Sequence, residues 1–294
     1  MTKVLLVGGG GYLGGHLKDS LREGAEVTIT GRRPRQQHDY FQVDFNDPST
    51  FLNVDPSDFD IVIILAADKS GLGKTGLGGD SLRLNVTGYG NFLDHIGRSS
   101  FRGRLVYISS MTVYSHDNAV PVRETGDTEN PPNVYGLTKR IGEQLTRFSC
   151  RSNGFRGICL RIPGLFGGGR RSGFVHNAMV RFSEGAPLEI DTTGSIYWEC
   201  ALVTDIADMI TRLISFHDWG AGYETFNLGY GKEATMISVA QSLRQKMGSP
   251  SSIVETSSRD GANLFMDISK AASVMPMDYG MDSALDEFLV HTRR

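Results

Sequence analysis

The chain is short of the residues that build metal sites or disulfide frameworks. Its 294 residues include three cysteines, Cys150, Cys159 and Cys200, an odd number without metal-ligand spacing. Sparse cysteines of this kind point to reduced thiols in a cytoplasmic protein. The seven histidines show no zinc-type clustering, so no metal is expected. Basic charge is not in surplus either: 30 Lys and Arg face 33 Asp and Glu, the net charge is −3, and no polybasic tract occurs. A nucleic-acid partner is therefore not expected. The longest apolar run, I-V-I-I-L-A-A at 61–67, falls far short of the ~20 residues a membrane helix needs. The N-terminus passes straight into K-V-L-L-V without a charged and apolar leader, so no secretory signal is expected.

Glycine, by contrast, is abundant at 36 residues, which favours tight turns and close backbone approaches. The first thirty positions matter most. Lys3 to Val7 reads as a strand, G-G-G-G-Y-L-G-G follows at 8–15, His16 to Arg22 has helical apolar spacing, and Ala25 to Thr30 reads as a second strand. Strand, glycine turn, helix and strand within about thirty residues is the setting in which such a turn binds a dinucleotide. Backbone without Cβ atoms lets a pyrophosphate approach, and the helix start offers free N–H groups and a positive dipole end. Two registers fit, Gly9-x-Gly11-x-x-Gly14 and Gly8-x-x-Gly11-x-x-Gly14. The second strand ends in T-I-T-G-R-R-P-R, with Arg32, Arg33 and Arg35 and no carboxylate. An acid there would bind a ribose 2′-hydroxyl, whereas arginine accommodates a 2′-phosphate, so NADP is favoured over NAD. Asp44, after a third strand at 40–43, could meet an adenine amino group or cap the turn at Asp47-Pro48-Ser49.

Further on, Phe59 to Ala67 is an apolar strand of the kind buried on both faces of a parallel sheet. The Gly73-Lys74-Thr75 that follows is not a phosphate-binding P-loop, because residue 68, where the motif needs glycine, is Asp. The glycine-rich stretch is read as a lid or a surface loop. Residues 82–97 look helical, with Asn85 near their start, and Arg104 to Ile108 forms another strand ending at Ser109-Ser110. Alternation of strand and helix to about residue 165 predicts a doubly wound parallel sheet, an α/β fold with ligands at the carboxyl ends of its strands. Tyr135 and Lys139, in N-V-Y-G-L-T-K-R at 133–140, lie one turn apart at the start of a helix that can face that crevice.

In this order the segments resemble the extended short-chain dehydrogenases/reductases, the NAD-dependent epimerase/dehydratase family. V-G-G-G-G-Y-L-G-G-H resembles the family's glycine turn and selects the register Gly8, Gly11, Gly14, bringing Tyr12 and Leu13 to the cofactor. L-A-A-D resembles the motif after strand four, with Ala66 and Ala67, and L-N-V-T-G the helix that carries Asn85. I-S-S-M-T-V-Y resembles the serine strand, N-V-Y-G-L-T-K the Tyr-x-x-x-Lys signature, and R-I-P-G-L-F-G the segment that places Pro163 beside the nicotinamide. V-T-D-I-A-D, F-N-L-G and M-D-I-S-K-A resemble three later landmarks. The resemblance implies a Rossmann-type domain over 1–165, with 196–222 packing back onto it, and a small C-terminal α+β substrate lobe from 166–195 and 223–294.

It also implies a mechanism. Tyr135 is the general acid/base, Lys139 lowers its pKa and holds the ribose, and Ser110 hydrogen-bonds the substrate oxygen. Met111-Thr112 stands where dehydratases of the family carry an acidic pair, so a 4,6-dehydratase is not expected. Trp198 takes the place of one diphosphate-gripping arginine, while Arg259 matches a second. Met111, Asn177, Trp198 and Arg259, with Ser110, are the expected substrate contacts. Trp198 could stack on a ligand or pack in the core, and Arg170 and Arg171 could supply the missing charge or lie in solvent. The leading expectation is an NADP-dependent ketoreductase, with a nucleotide-linked keto sugar among its candidate substrates. The alternatives are a sugar-nucleotide epimerase and a non-catalytic NADP-binding redox sensor. The resemblance further implies a homodimer through the helices near 82–97 and 135–150.

Overall fold

The computed structural model describes residues 1–77, 79–116, 118–125, 130–190, 199–220, 222–232, 234–256 and 264–292. Strand β1 (Thr2–Val7) leads through the glycine turn into α1 (Tyr12–Leu21) and back to β2 (Ala25–Gly31) and β3 (Tyr40–Gln42). Strand β4 (Ile61–Ile64) is followed by α2 (Asp80–Leu82), which runs through a π-helical stretch at Arg83–Gly88 into α3 (Tyr89–Arg98). Next come β5 (Arg104–Ser110), the long α4 (Val134–Asn153) and β6 (Arg156–Ile162). Asn133 caps α4 by accepting the Gly136 N–H, and Gly154 ends it in the left-handed conformation, as helix signals at both ends dictate.

These strands and β10 (Tyr223–Asn227) form one parallel sheet in the order β10-β6-β5-β4-β1-β2-β3. Alternate residues of each strand feed opposite faces. Val4, Leu6, Ile61 and Ile63 pack on the side of α1, where Leu17 and Leu21 meet them. Leu5, Val7, Val62 and Ile64 pack on the other side, with Phe92, Leu93 and Ile96 of α3. Burial on both faces explains why these strands read as unbroken apolar runs. The order reverses between β1 and β4, and this switch point opens the crevice where such sheets bind ligands.

The rest of the chain is β7 (Gly164–Phe166), α5 (Phe174–Ser183), β8 (Leu188–Ile190), β9 (Cys200–Leu202) and α6 (Val203–Phe216), then β10. After it come α7 (Met236–Met247), β11 (Ile253–Glu255), α8 (Ser269–Ala272) and α9 (Met281–Thr292). Helix α6 lies against α1, with Ser20 and Thr211 hydroxyls 2.8 Å apart. Strands β8 and β11 pair, and β7 pairs with β9. One expected boundary moves. Residues 223–227, expected in the substrate lobe, extend the central sheet beside β6, from Tyr223 opposite Gly157 to Asn227 opposite Arg161. The exposed edge of β6 needed a partner for its backbone groups, and this segment provides it. Among the described residues no helix is long and apolar enough to cross a membrane.

Candidate active site

The glycine turn is a built cradle. Gly8 has φ +84°, and a Cβ there would stand 2.7 Å from the Ala66 nitrogen; a Cβ on Gly14 would stand 2.5 Å from the Gly9 carbonyl oxygen. Gly11 caps α1 without a side chain, so the first-turn N–H groups stay available to a ligand. Gly8, Gly11, Tyr12, Leu13 and Gly14 all line a cleft of about 870 Å³ that also takes in Ala66, Ala67 and Pro163. At its far end lie Ser110, Met111, Tyr135 and Lys139. Bare backbone, a helix start and a cleft of this length fit a dinucleotide.

Arg32, Arg33 and Arg35 line the same cleft beyond the end of β2. The loop is anchored by its backbone: the Tyr40 hydroxyl donates to the Arg33 carbonyl and the Gln42 amide to the Arg32 carbonyl. The Arg35 guanidinium stands over the Tyr40 ring, 5.5 Å from its centroid. Asp44 both lines the cleft and closes its own turn, accepting the Asn46 N–H at 2.9 Å. The cap on the following 3-10 helix is Asp47, which accepts the Ser49 N–H. Asn85, expected near the cofactor, is taken up by the protein itself. It is 3% exposed and absent from the cleft wall. Its amide accepts the Asp68 N–H and donates to the Asp68 carbonyl and to Thr138, so every polar atom is spent pinning the β4 loop to α4.

The two serines of β5 separate cleanly. Ser109 donates to Glu143 at 2.6 Å, whereas Ser110 keeps its hydroxyl at the cleft, accepting only from the Thr112 N–H and hydroxyl. Glu143 sits one turn beyond Lys139 on α4 and forms a buried two-point pair with Arg161, at 2.9 and 2.7 Å. Burial works to raise the Glu143 carboxyl, but Arg161, Ser109 and Arg140 outweigh it and hold it below the usual carboxylate range. Arg161 continues to the Tyr114 hydroxyl, and Tyr114 donates to Asn227. This chain of bonds ties β5, α4, β6 and β10 together, from Ser109 next to Ser110 and from Glu143 one turn after Lys139.

Burial alone pushes the Tyr135 phenol up to about 12. Burial likewise pushes Lys139 down to about 8. Its ammonium rests 4.2 Å from the centroid of the Tyr107 ring, a cation–π contact in place of an ion pair. In the ligand-free protein the lowering of Tyr135 expected from Lys139 does not counter burial, which leaves the phenol raised. Gly136, inside the Tyr-x-x-x-Lys segment, is forced: a Cβ there would stand 2.1 Å from the Thr112 carbonyl oxygen. Contact between the first turn of α4 and the turn after Ser110 brings tyrosine and serine to one place.

Of the expected substrate contacts, Ser110 and Met111 line the cleft, and Asn177 lies exposed on α5 away from it. Polar Asn177 faces solvent because the apolar face of α5, Val175, Ala178 and Phe182, turns to the core. Trp198 and Arg259 lie outside the described residues. Lys69 and Arg170 line the cleft as well. Sequence reading missed Lys69, Glu143 and Arg161, although the first follows L-A-A-D directly and the last opens R-I-P-G. What was missing for Glu143 and Arg161 was the partner of each, 18 residues away in the chain.

Residues 4–229 match the model of the NAD dependent epimerase/dehydratase family. A UDP-glucose 4-epimerase of Erwinia amylovora is 25% identical, over 88% of this chain and 87% of its own. Among solved structures, the UDP-N-acetylglucosamine 4-epimerase from Bacillus cereus superimposes with a TM-score of 0.84 at 23% identity, covering 100% of both chains. RMD from Pseudomonas aeruginosa, complexed with NADPH, gives 0.83 at 21% identity, again over 100% of both. The chain thus belongs to the NAD dependent epimerase/dehydratase family and is an NAD(P)-dependent enzyme of the extended short-chain dehydrogenase/reductase type.

Proposed function

We propose that this enzyme epimerises a nucleotide-linked sugar, with Tyr135 as general acid/base and Ser110 and Lys139 as its partners. The carrying observation is one continuous cleft that joins the glycine turn to Ser110, Tyr135 and Lys139. The relatives named above for UDP-sugar epimerisation support this reading over the ketoreductase expected from the sequence. A nicotinamide dinucleotide bound in the cleft supplies a hydride acceptor and donor. Gly8, Gly11 and the start of α1 would hold its pyrophosphate, and Lys139 would hold its ribose. Ser110 donates to the substrate oxygen that gains negative charge. Tyr135 accepts the hydroxyl proton from that oxygen and later returns it. Near pKa 12 the phenol is a poor base, so it needs opposite charge beside it; Lys139 and a cationic ring supply that and lower it.

NADP is the favoured cofactor, because Arg32, Arg33 and Arg35 line the cleft just after β2, a charge pattern that suits a 2′-phosphate, and no carboxylate follows that strand. The same arginines favour one second reading, an NADPH-consuming ketoreductase. A homodimer is proposed through α3 and α4, whose outer face presents Phe148 at 71% exposure. Three buried, unpaired cysteines agree with a cytoplasmic setting. The test is incubation with each UDP-hexose and either cofactor, followed by separation of the sugar epimers. Interconversion at constant cofactor supports the proposal; steady NADPH oxidation with a keto substrate, and no epimer, supports the ketoreductase.

A further inference from the structure

The segment after β7 crosses back to the glycine turn and is fastened there. Gly167, Gly168 and Gly169 have φ of +80°, +54° and +81°, a left-handed run that only glycine sustains without strain. The Tyr12 hydroxyl donates to the Gly167 carbonyl at 2.7 Å, and His16 Nε2 lies 3.3 Å from the Gly168 carbonyl. Burial pushes the Tyr12 phenol up to about 12, so it remains a donor. A Cβ on Gly168 would stand 2.3 Å from His16 Nε2 and 2.5 Å from Val203 Cγ1. Tyr12 and His16 share the first two turns of α1. The strap therefore lies over the helix start that a pyrophosphate would use.

At the end of the strap, Arg170 lines the cleft with its guanidinium 5.6 Å from the centroid of the Tyr12 ring. It donates to the Leu165 carbonyl at 3.1 Å and the Ser172 hydroxyl at 3.0 Å. Among the described residues it has no carboxylate partner within hydrogen-bonding reach. From the wall after β4 comes Lys69, also without an ion pair there. Much of that side chain is open to solvent, yet crowding by the cleft walls lowers the ammonium pKa, and the charge of Arg170 lowers it further. Two cations thus share one cleft, repel each other, and have no anion of the described protein to meet.

We propose that Arg170 and Lys69 close from opposite walls on the cofactor's pyrophosphate, with the Gly167–Arg170 strap holding it on the start of α1. The inference rests on the proposed nicotinamide cofactor and deepens it: a clasped cofactor stays bound between turnovers, as an epimerase requires and a ketoreductase does not. Removing either cation weakens binding by roughly 10- to 100-fold.

The test measures dissociation constants and off-rates of the reduced cofactor by its fluorescence, on the full-length wild type, Arg170→Gln, Lys69→Gln and Tyr12→Phe. Thermal melting accompanies each variant, and UDP binding is measured in parallel. Expected are a ~10- to 100-fold weaker cofactor complex for Arg170→Gln and for Lys69→Gln, with a shallower salt dependence than wild type. Tyr12→Phe should release cofactor several-fold faster while melting as wild type does. Lys69→Gln carries the test from the other wall should Arg170→Gln fail to fold. Unchanged cofactor affinity in folded variants overturns the clasp alone, as does weakening confined to UDP, which assigns the cations to substrate. Wild type that binds neither NAD(H) nor NADP(H) overturns the proposed function and the clasp with it.

Discussion

Lys139 is the residue whose replacement separates stability from function most clearly. Its side chain is 2% exposed, has no carboxylate partner among the described residues, and is held against the Tyr107 ring. Burial lowers its pKa from 10.5 to about 8. At about 1.36 kcal/mol per unit, folding therefore carries a cost of about 3 kcal/mol while the amine is charged in both states. The cation–π contact returns roughly 1 kcal/mol of that. Lys139→Met keeps the volume and drops the charge, so the ligand-free variant should be more stable at pH 7 by about 2 kcal/mol, yet inactive. The sign over pH follows from linkage. Between about pH 8 and 10.5 the unfolded chain holds the proton and the folded one has released it, so wild type gains stability through that window. The advantage of Lys139→Met is thus complete below about pH 8 and gone near pH 10.5. Urea denaturation of both proteins, at neutral pH and near pH 10, measures the difference. A variant less stable at pH 7, or a gap independent of pH, refutes this account of Lys139.

Three further outcomes are expected. Glu143→Ala leaves Arg161 buried without its carboxylate and should cost about 3–5 kcal/mol by urea denaturation, while Glu143→Gln, which keeps hydrogen-bonding atoms, should cost less. Gly136→Ala pushes α4 off the Thr112 carbonyl; catalytic rate should fall at least ~100-fold, with substrate affinity changed far less. In an ultraviolet titration of the ligand-free protein, Tyr135 should ionise near its value of about 12. Oxidised cofactor should then bring a tyrosinate signal down by at least about one pH unit, and Tyr135→Phe should abolish that component.

How far this could be read from the chain depends on how local each interaction is. The glycine turn, the apolar strands and the Tyr135–Lys139 helix were legible because each follows from residues a few positions apart. Ser110 was chosen over Ser109 by the resemblance alone, and the physical difference between them, Glu143 taking the inner hydroxyl, is a contact across 34 residues. The structural work of Asn85 was hidden because a polar residue at a helix start can bind ligand or hold backbone, and its bonds to Asp68 and Thr138 join segments far apart in sequence. The strap was invisible for a similar reason. Its three glycines read as an ordinary loop until Tyr12 and His16, more than 150 residues earlier, were found bonded to it. Strand β10 was misplaced because a short edge strand carries little periodicity, and its partner β6 lies over sixty residues away.

The central claim, that hydride leaves and returns within one closed site, is tested most directly by isotope tracing. A UDP-hexose deuterated at the carbon undergoing inversion is turned over with unlabelled NADP or NAD, and the epimer is examined by mass spectrometry. Epimerisation by this site predicts deuterium retained in the product with no net change in reduced cofactor. Deuterium passed to released cofactor, or no epimer at all beside steady NADPH consumption, contradicts it.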